Sequence, residues 1–190
     1  MKRAVFLDRD GVLIEEKHYL HKPEDVALFP GAGLALRELQ REGFLLIVVT
    51  NQAGVGRGYF ALDDVHRVHE RLQADYRRLG VEFTHIYIAP EAPHEPNQGR
   101  KPSPRFLYEA RDTFGIDLSQ SFMIGDKLID LECGWNAGVK QSILVRTGYG
   151  AKTEMVSAPL LAEKNALVVD DLSAASQAIL AGVLPPRSGR

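Results

Sequence analysis

The 190-residue chain, 45% hydrophobic and 25% charged, has the balance of an ordinary globular protein with enough length to bury a sizeable core. Its 23 Lys and Arg against 25 Asp and Glu give a net charge of -2 with no basic run, which argues against a nucleic-acid partner held by bulk electrostatics. The single cysteine, Cys133, excludes an intramolecular disulfide and a Cys-rich zinc site and suits a reducing compartment, so the cytoplasm is the expected location.

The chain opens MKRAVFLDRDG, where four apolar residues before Asp8 are too few for a signal-peptide core and read as a strand over 4–7. A helical pattern follows over 33–43, then the apolar strand FLLIVV over 44–49. Between 62 and 79, Val65, Val68, Leu72, Tyr76 and Leu79 recur at steps of three or four, and Gly80 closes this amphipathic helix. Next come a strand over 83–89, a Pro-rich segment over 90–104, a helix over 104–114, the strand FMIG over 122–125 and a helix over 127–137 with Gly138 as its C-cap. Strands over 142–145 and 166–169 and a helix over 172–180 complete the pattern. Near-continuous apolar strands belong to parallel sheets covered on both faces, so the expected fold is α/β, a three-layer doubly wound, mostly parallel sheet. One domain over 1–183 is expected, with 184–190 as a flexible tail, and no apolar run is long enough for a membrane span.

In open parallel sheets a ligand sits beyond the carboxyl ends of the strands. Three such ends carry chemistry: Asp8-Arg9-Asp10-Gly11, Thr50-Asn51-Gln52, and Asp126-Lys127. Carboxylates gathered this way suit a hard cation such as Mg²⁺. Asp126 and Asp130 share a face at a helix start, where they serve either a metal or the helix dipole. Arg100-Lys101-Pro102 follows the Pro-rich loop, where a lysine can neutralise an anion beside the carboxylates or remain a solvated charge. Clustered carboxylates, Thr and Lys also occur in phospho-accepting receiver modules, but the third strand here ends in Ala89-Pro90 with no Asp to accept the phosphoryl group.

The ordered set Asp8-x-Asp10-Gly11, Thr50, Lys101 and Gly125-Asp126-x-x-x-Asp130 resembles the haloacid dehalogenase superfamily of phosphatases over roughly residues 3–150. FLDRDGVLIEE, VVTNQAGVGRG, RKPSP and MIGDKLIDLECGWNAGV are similar to its branch acting on small polar phosphates, heptose bisphosphates and histidinol phosphate. The resemblance implies that Asp8, the Asp10 backbone carbonyl and Asp126 bind Mg²⁺, with Asp130 behind them, and that Asp8 attacks phosphorus to form an aspartyl-phosphate. It further implies Asp10 as the acid that protonates the departing oxygen and the base that activates water, with Thr50, the Asn51 amide and Lys101 on the phosphoryl oxygens.

Only 39 residues lie between Asp10 and Thr50 and 50 between Thr50 and Lys101, too few for a cap domain, so an open site is expected. Glu16, Lys17, His18 and Tyr19 form its flap, Gln52, Ala53 and Arg57 a second rim, and Arg100 and Lys127 further substrate anchors. Cation-bearing Lys17, Arg57, Arg100 and Lys127 favour a sugar bisphosphate, whereas Glu15, Glu16 and Glu91 keep histidinol phosphate as the alternative. Members of this branch often carry a zinc loop of Cys-x-His and Cys-x-Cys; here Ala89-Pro90-Glu91 and Asn97-Gln98-Gly99 stand in its place. No zinc is therefore expected, the loop being shaped by its prolines, with Glu91, His94 and Glu95 read as mobile polar residues. His66 and His69 read as solvent-facing, Cys133 as a packed small hydrophobe, and the chain as a monomer.

Overall fold

The computed structural model describes residues 1–182, so the tail expected at 184–190 lies outside the described residues. Six strands, β1 (Arg3–Leu7), β2 (Phe44–Asn51), β3 (His85–Ala89), β4 (Phe122–Gly125), β5 (Gln141–Val145) and β6 (Leu167–Val169), form one parallel sheet in the order β3-β2-β1-β4-β5-β6. The intervening helices are α1 (Ala32–Arg41), α2 (Leu62–Arg78), α3 (Arg105–Phe114), α4 (Leu128–Ala137), α5 (Gly150–Glu163) and α6 (Leu172–Leu180).

Alternation along β1 explains why its apolar run is unbroken. Val5 and Leu7 face one side with Leu36 and Leu39 of α1, Leu72 and Tyr76 of α2, and Ile179 of α6. Ala4 and Phe6 face the other with Leu107 and Ala110 of α3 and Cys133 and Ala137 of α4. Both faces are therefore dry, and each central strand needs apolar residues at every position rather than every second one. Truncating one fully buried member, Leu72→Ala, is expected to cost about 2–5 kcal/mol through lost transfer energy and a residual cavity.

The sequence pattern places five of the helices but not α5, and the reason lies in its packing. Among its residues only Gly150 and Leu161 are buried, Met155 and Val156 point outward, and Pro159 interrupts its interior. With so little of the helix dry, no 3.6-residue apolar stripe marks it. It is tied down instead by Arg146, which forms a bidentate pair with Glu154 at 2.7 and 2.8 Å. The second strand is longer than its apolar run: β2 continues through Thr50 and Asn51, which pair with Ile88 and Ala89. No helix among the described residues is long and apolar enough to cross a membrane.

Candidate active site

Strand order reverses between β1 and β4, which opens a crevice at their carboxyl ends. Asp8 directly follows β1 and Asp126 directly follows β4, and the Asp8 amide donates to the Ile124 carbonyl at 3.0 Å. The carboxylates of Asp8, Asp126 and Asp130 each present an oxygen within 4.8 Å of the others, all buried. Lys101, also buried, places Nζ 2.8 Å from Asp8 Oδ1 and 2.6 Å from Asp130 Oδ1. The other Asp130 oxygen accepts the Lys127 amide at 3.0 Å, capping α4, so both oxygens of Asp130 are committed to holding neighbours in place.

Asp126 sits in a cradle that only glycine permits. Gly11 and Gly148 have φ of +83° and +58°, and a Cβ on either would lie 2.3 Å from Asp126 Oδ2. That oxygen accepts the Tyr149 amide at 2.8 Å. Its partner, Oδ1, is buried without a hydrogen bond, and the nearest cation, Lys127 Nζ, stands 3.7 Å away. Burial first, and then the Asp8 charge, push Asp126 up to about 8. Burial alone would raise Asp8 as well, yet the Lys101 and Lys127 ammoniums outweigh it and hold that carboxyl below its ordinary value. Three converging carboxylates, with Asp126 Oδ1 buried and unpartnered and Asp130 Oδ1 met only by the Lys101 ion pair, form a donor set that fits a hard divalent cation.

Beside this floor lies the Asp10 carboxylate, outside the acidic cluster. Arg9 Nε donates to its Oδ2 at 3.0 Å, Arg9 Nη2 to its Oδ1 at 3.1 Å, and Gln52 Nε2 to its Oδ2 at 3.2 Å. Gln52 also donates to Thr50 Oγ1 at 2.8 Å, so Thr50 and Asp10 share one amide. Asn51 spends its side chain on the Lys101 backbone, accepting from Lys101 N at 3.0 Å and donating to Lys101 O at 3.1 Å. Thus the end of β2 fixes where the lysine enters the site.

Sequence reading overlooked Arg9 and mistook His69. His69 is buried rather than solvent-facing, and its Nε2 lies 3.2 Å from Arg9 Nη1. Burial, followed by the Arg9 charge, pushes His69 down to about 3. Two signals could have found the pair. Residue 9 continues the alternation of Val5 and Leu7 toward the α2 side, and His69 falls four residues after Val65, one after Val68 and three before Leu72, on the apolar stripe of α2. His66 remains exposed, as expected.

A cleft of about 260 Å³ opens at Arg9 and Asp10, next to the floor, bounded by Glu16, His18 and Tyr19 on the flap, Asn51, Gln52, Ala53 and Arg57 on the next loop, and Arg100 and Lys127 opposite; Asp8, Thr50, Lys101 and Asp126 do not line it. Tyr149 and Ile129 also line it, without having been singled out from sequence. Lys17 stands apart from the other flap residues: it is not among the lining residues, and its Nζ donates to the Asp25 carbonyl at 2.7 Å. The flap is tied to the 52–60 loop by aromatic contacts, Tyr19 edge-on to Tyr59 at 4.9 Å and His21 stacked on Phe60 at 5.0 Å. Across the cleft Lys127 Nζ pairs with Glu16 Oε2 at 3.1 Å.

The 90–100 loop is shaped by more than its prolines. Glu91 is 6% exposed rather than a mobile surface group, and its Oε1 accepts the amides of Gln98 at 2.9 Å and Arg100 at 3.1 Å. The Gly56 amide donates to Pro90 O at 2.9 Å, so the loops carrying Arg57 and Arg100 are fastened together. Cys133 is packed in the core and burial pushes its thiol up to about 12, which makes it inert.

Residues 3–130 match the family model for polynucleotide kinase 3 phosphatase, and residues 98–175 match the HAD-hydrolase-like model. The chain belongs to the haloacid dehalogenase-like phosphatases, and is a phosphoric monoester hydrolase. It is 40% identical over 163 residues to the D-glycero-beta-D-manno-heptose-1,7-bisphosphate 7-phosphatase of Haemophilus ducreyi, covering 80% of this chain and 88% of that protein. The D-glycero-D-manno-heptose-1,7-bisphosphate 7-phosphatase of Thermosynechococcus vestitus is 36% identical over 194 residues, 96% of this chain and 97% of its own. The crystal structure of a D,D-heptose 1,7-bisphosphate phosphatase from B. bronchiseptica, complexed with magnesium and phosphate, superposes with a TM-score of 0.86 at 28% identity, covering 96% of this chain and all of that one.

Proposed function

We propose that this chain is a cytoplasmic, monomeric, Mg²⁺-dependent phosphatase, one domain over 1–183, that removes the 7-phosphate of D-glycero-D-manno-heptose 1,7-bisphosphate in the synthesis of an activated heptose for surface glycans. The observation that carries the reaction class is the buried floor, in which the Asp8 carboxylate is flanked by Lys101 at 2.8 Å and by Asp126 with its orphaned oxygen. The substrate assignment rests on the similarity to the heptose bisphosphate phosphatases and on the Arg57, Arg100 and Lys127 cations around the cleft, which suit a ligand with a second phosphate.

Asp8, Asp126 and the Asp10 backbone carbonyl would hold Mg²⁺, whose charge lets an anionic carboxylate approach a phosphate dianion. Lys101 orients the Asp8 carboxylate from one side and, with Thr50 and the Asn51 amide, offers donors to the transferring phosphoryl oxygens. Asp8 attacks phosphorus; the bond from phosphorus to the sugar O7 breaks, its electron pair goes to that oxygen, and Asp10, which must be protonated when substrate binds, supplies the proton. Asp10 then takes a proton from the water that hydrolyses the aspartyl-phosphate, returning both carboxyls to their starting states. Asp130 never meets the substrate in this scheme: its two oxygens hold Lys101 and the α4 N-terminus.

Phosphate release should be measured with Mg²⁺ from both anomers of the heptose bisphosphate and from histidinol phosphate, with and without EDTA. The proposal expects preference for a heptose bisphosphate, abolished by EDTA. Preference for histidinol phosphate would overturn the substrate, and release that EDTA leaves intact would overturn the metal.

A further inference from the structure

Arg9, Gln52 and His69 are buried polar side chains at the site that the scheme above leaves without a task, and Arg9 touches both of the others. Arg9, 1% exposed, is the bulkiest of the fully buried side chains. Its guanidinium reaches acceptors from four separate segments. These are both oxygens of Asp10, Gln52 Oε1 at 3.2 Å, the Leu20 carbonyl at 3.3 Å and His69 Nε2 at 3.2 Å. Arginine has five N–H donors and no acceptor, so His69 must offer the Nε2 lone pair, which makes it the neutral tautomer protonated at Nδ1. His69 comes from α2, a helix that supplies none of the four sequence motifs, on a stripe fixed against the core by Val65, Val68 and Leu72.

Within this arrangement the Asp10 carboxylate does not choose its own rotamer. Two forked donors from Arg9 and one from Gln52 set its plane, and the fork is itself held from behind at Nη1 by His69. Without that acceptor a buried N–H loses its partner, a cost large enough to turn the guanidinium toward another oxygen. The geometry points to Arg9 and His69 as positioning residues for proton transfer to the leaving oxygen: the imidazole lone pair aims the guanidinium, and the guanidinium aims the Asp10 carboxyl into the cleft. This inference rests on the reading of Asp10 as acid and base, and it makes a core residue of α2 a determinant of chemistry rather than of folding alone.

A leaving group that departs as a stable anion needs no proton, whereas a sugar alkoxide does, and this separates positioning from mere structure. Wild type, His69→Leu, His69→Gln, Arg9→Lys and Asp8→Asn should be compared on the heptose bisphosphate, by phosphate release, and on p-nitrophenyl phosphate, by rapid-mixing p-nitrophenolate release. In His69→Leu and Arg9→Lys, sugar phosphate turnover should fall on the order of 10²-fold, while the first release of p-nitrophenolate slows by less than about threefold. A burst of one equivalent per site should then appear, because Asp10 must also activate the water of the second step. His69→Gln keeps an acceptor and should recover to within about tenfold of wild type. Equal slowing of both esters in His69→Leu and Arg9→Lys, or no slowing of either, would overturn the positioning role, as would loss of the folded thermal transition in both leucine and glutamine variants at His69. Failure of the underlying reading would show differently, as Asp10→Asn, measured on the same two esters, turning over the heptose bisphosphate as fast as wild type, or as Asp8→Asn as active as wild type.

Discussion

The floor of the site and its rim are built by different means. On the floor, Asp8, Lys101, Asp126 and Asp130 are buried, the three carboxylates are set at strand ends or a helix start, and Lys101 pairs with Asp8 at 2.8 Å and with Asp130 at 2.6 Å. Around the rim, Tyr19, Arg57, Arg100 and Lys127 are carried on loops or at a helix edge and held by aromatic contacts, loop-to-loop amide bonds and one cross-cleft ion pair. A buried, mutually paired set has one low-energy arrangement, which suits bond-making at a fixed phosphorus. Loop-borne cations adapt at little cost to the fold, which suits recognition of the rest of a substrate. Chemistry and selectivity should therefore separate under mutation.

The largest effect belongs to the floor: Asp8→Asn should lower turnover by at least about 10³-fold, measured as phosphate release, because the attacking group is gone. Lys101→Met tests whether the floor is also structural. It strands two buried carboxylates and should cost about 3–5 kcal/mol in urea unfolding as well as rate. A variant as stable as wild type would show that the pairs add nothing to the fold.

His69 lies where the floor meets α2, and its effect should depend on pH. Its folded value, pushed down to about 3 by burial and then by Arg9, is below the ordinary 6.5, so the unfolded chain takes up the proton first as pH falls. Stability should thus be fully present above 6.5 and decline toward 3, by about 1.4 kcal/mol per unit from this group. His69→Gln should flatten that part of the slope, read from urea midpoints at several pH values.

Rim changes should be smaller and appear in KM. Glu91→Ala frees the amides of Gln98 and Arg100 and should raise KM by about tenfold with kcat little changed, while Glu91→Gln, which keeps an acceptor, should do less. Lys17→Ala should change neither constant by more than about twofold, since its ammonium is turned to the Asp25 carbonyl and away from the cleft. A large KM effect at Lys17 would mean that the flap rearranges on binding.

The same division governs what could be read from sequence. Asp8 and Asp126 follow apolar runs directly, so strand periodicity alone puts them at the sheet's carboxyl edge, and the inner strands β1, β2, β4 and β5 were legible because dry faces demand unbroken apolar stretches, the edge strands β3 and β6 being only half-buried. Helix α5 left no such trace, its apolar residues being spread around a mostly wet surface. Lys17 and Glu91 exchange expected places, the lysine outside the cleft and the glutamate buried in a loop, because a neighbouring carbonyl or amide decides where a loop side chain turns. Arg9 was hidden by its own charge: surrounded by acceptors, it occupies an inward position that periodicity assigns to an apolar residue.

The most direct test of the covalent role given to the floor is to catch the phosphoryl group on it. Asp10→Asn, mixed with p-nitrophenyl phosphate and Mg²⁺ and quenched in acid, should carry one phosphoryl group on the peptide containing Asp8, found by mass spectrometry and absent from the Asp8→Asn, Asp10→Asn double variant. A phosphoryl group on another residue, or p-nitrophenolate release by Asp10→Asn at the wild-type rate with no labelled peptide, would contradict the account.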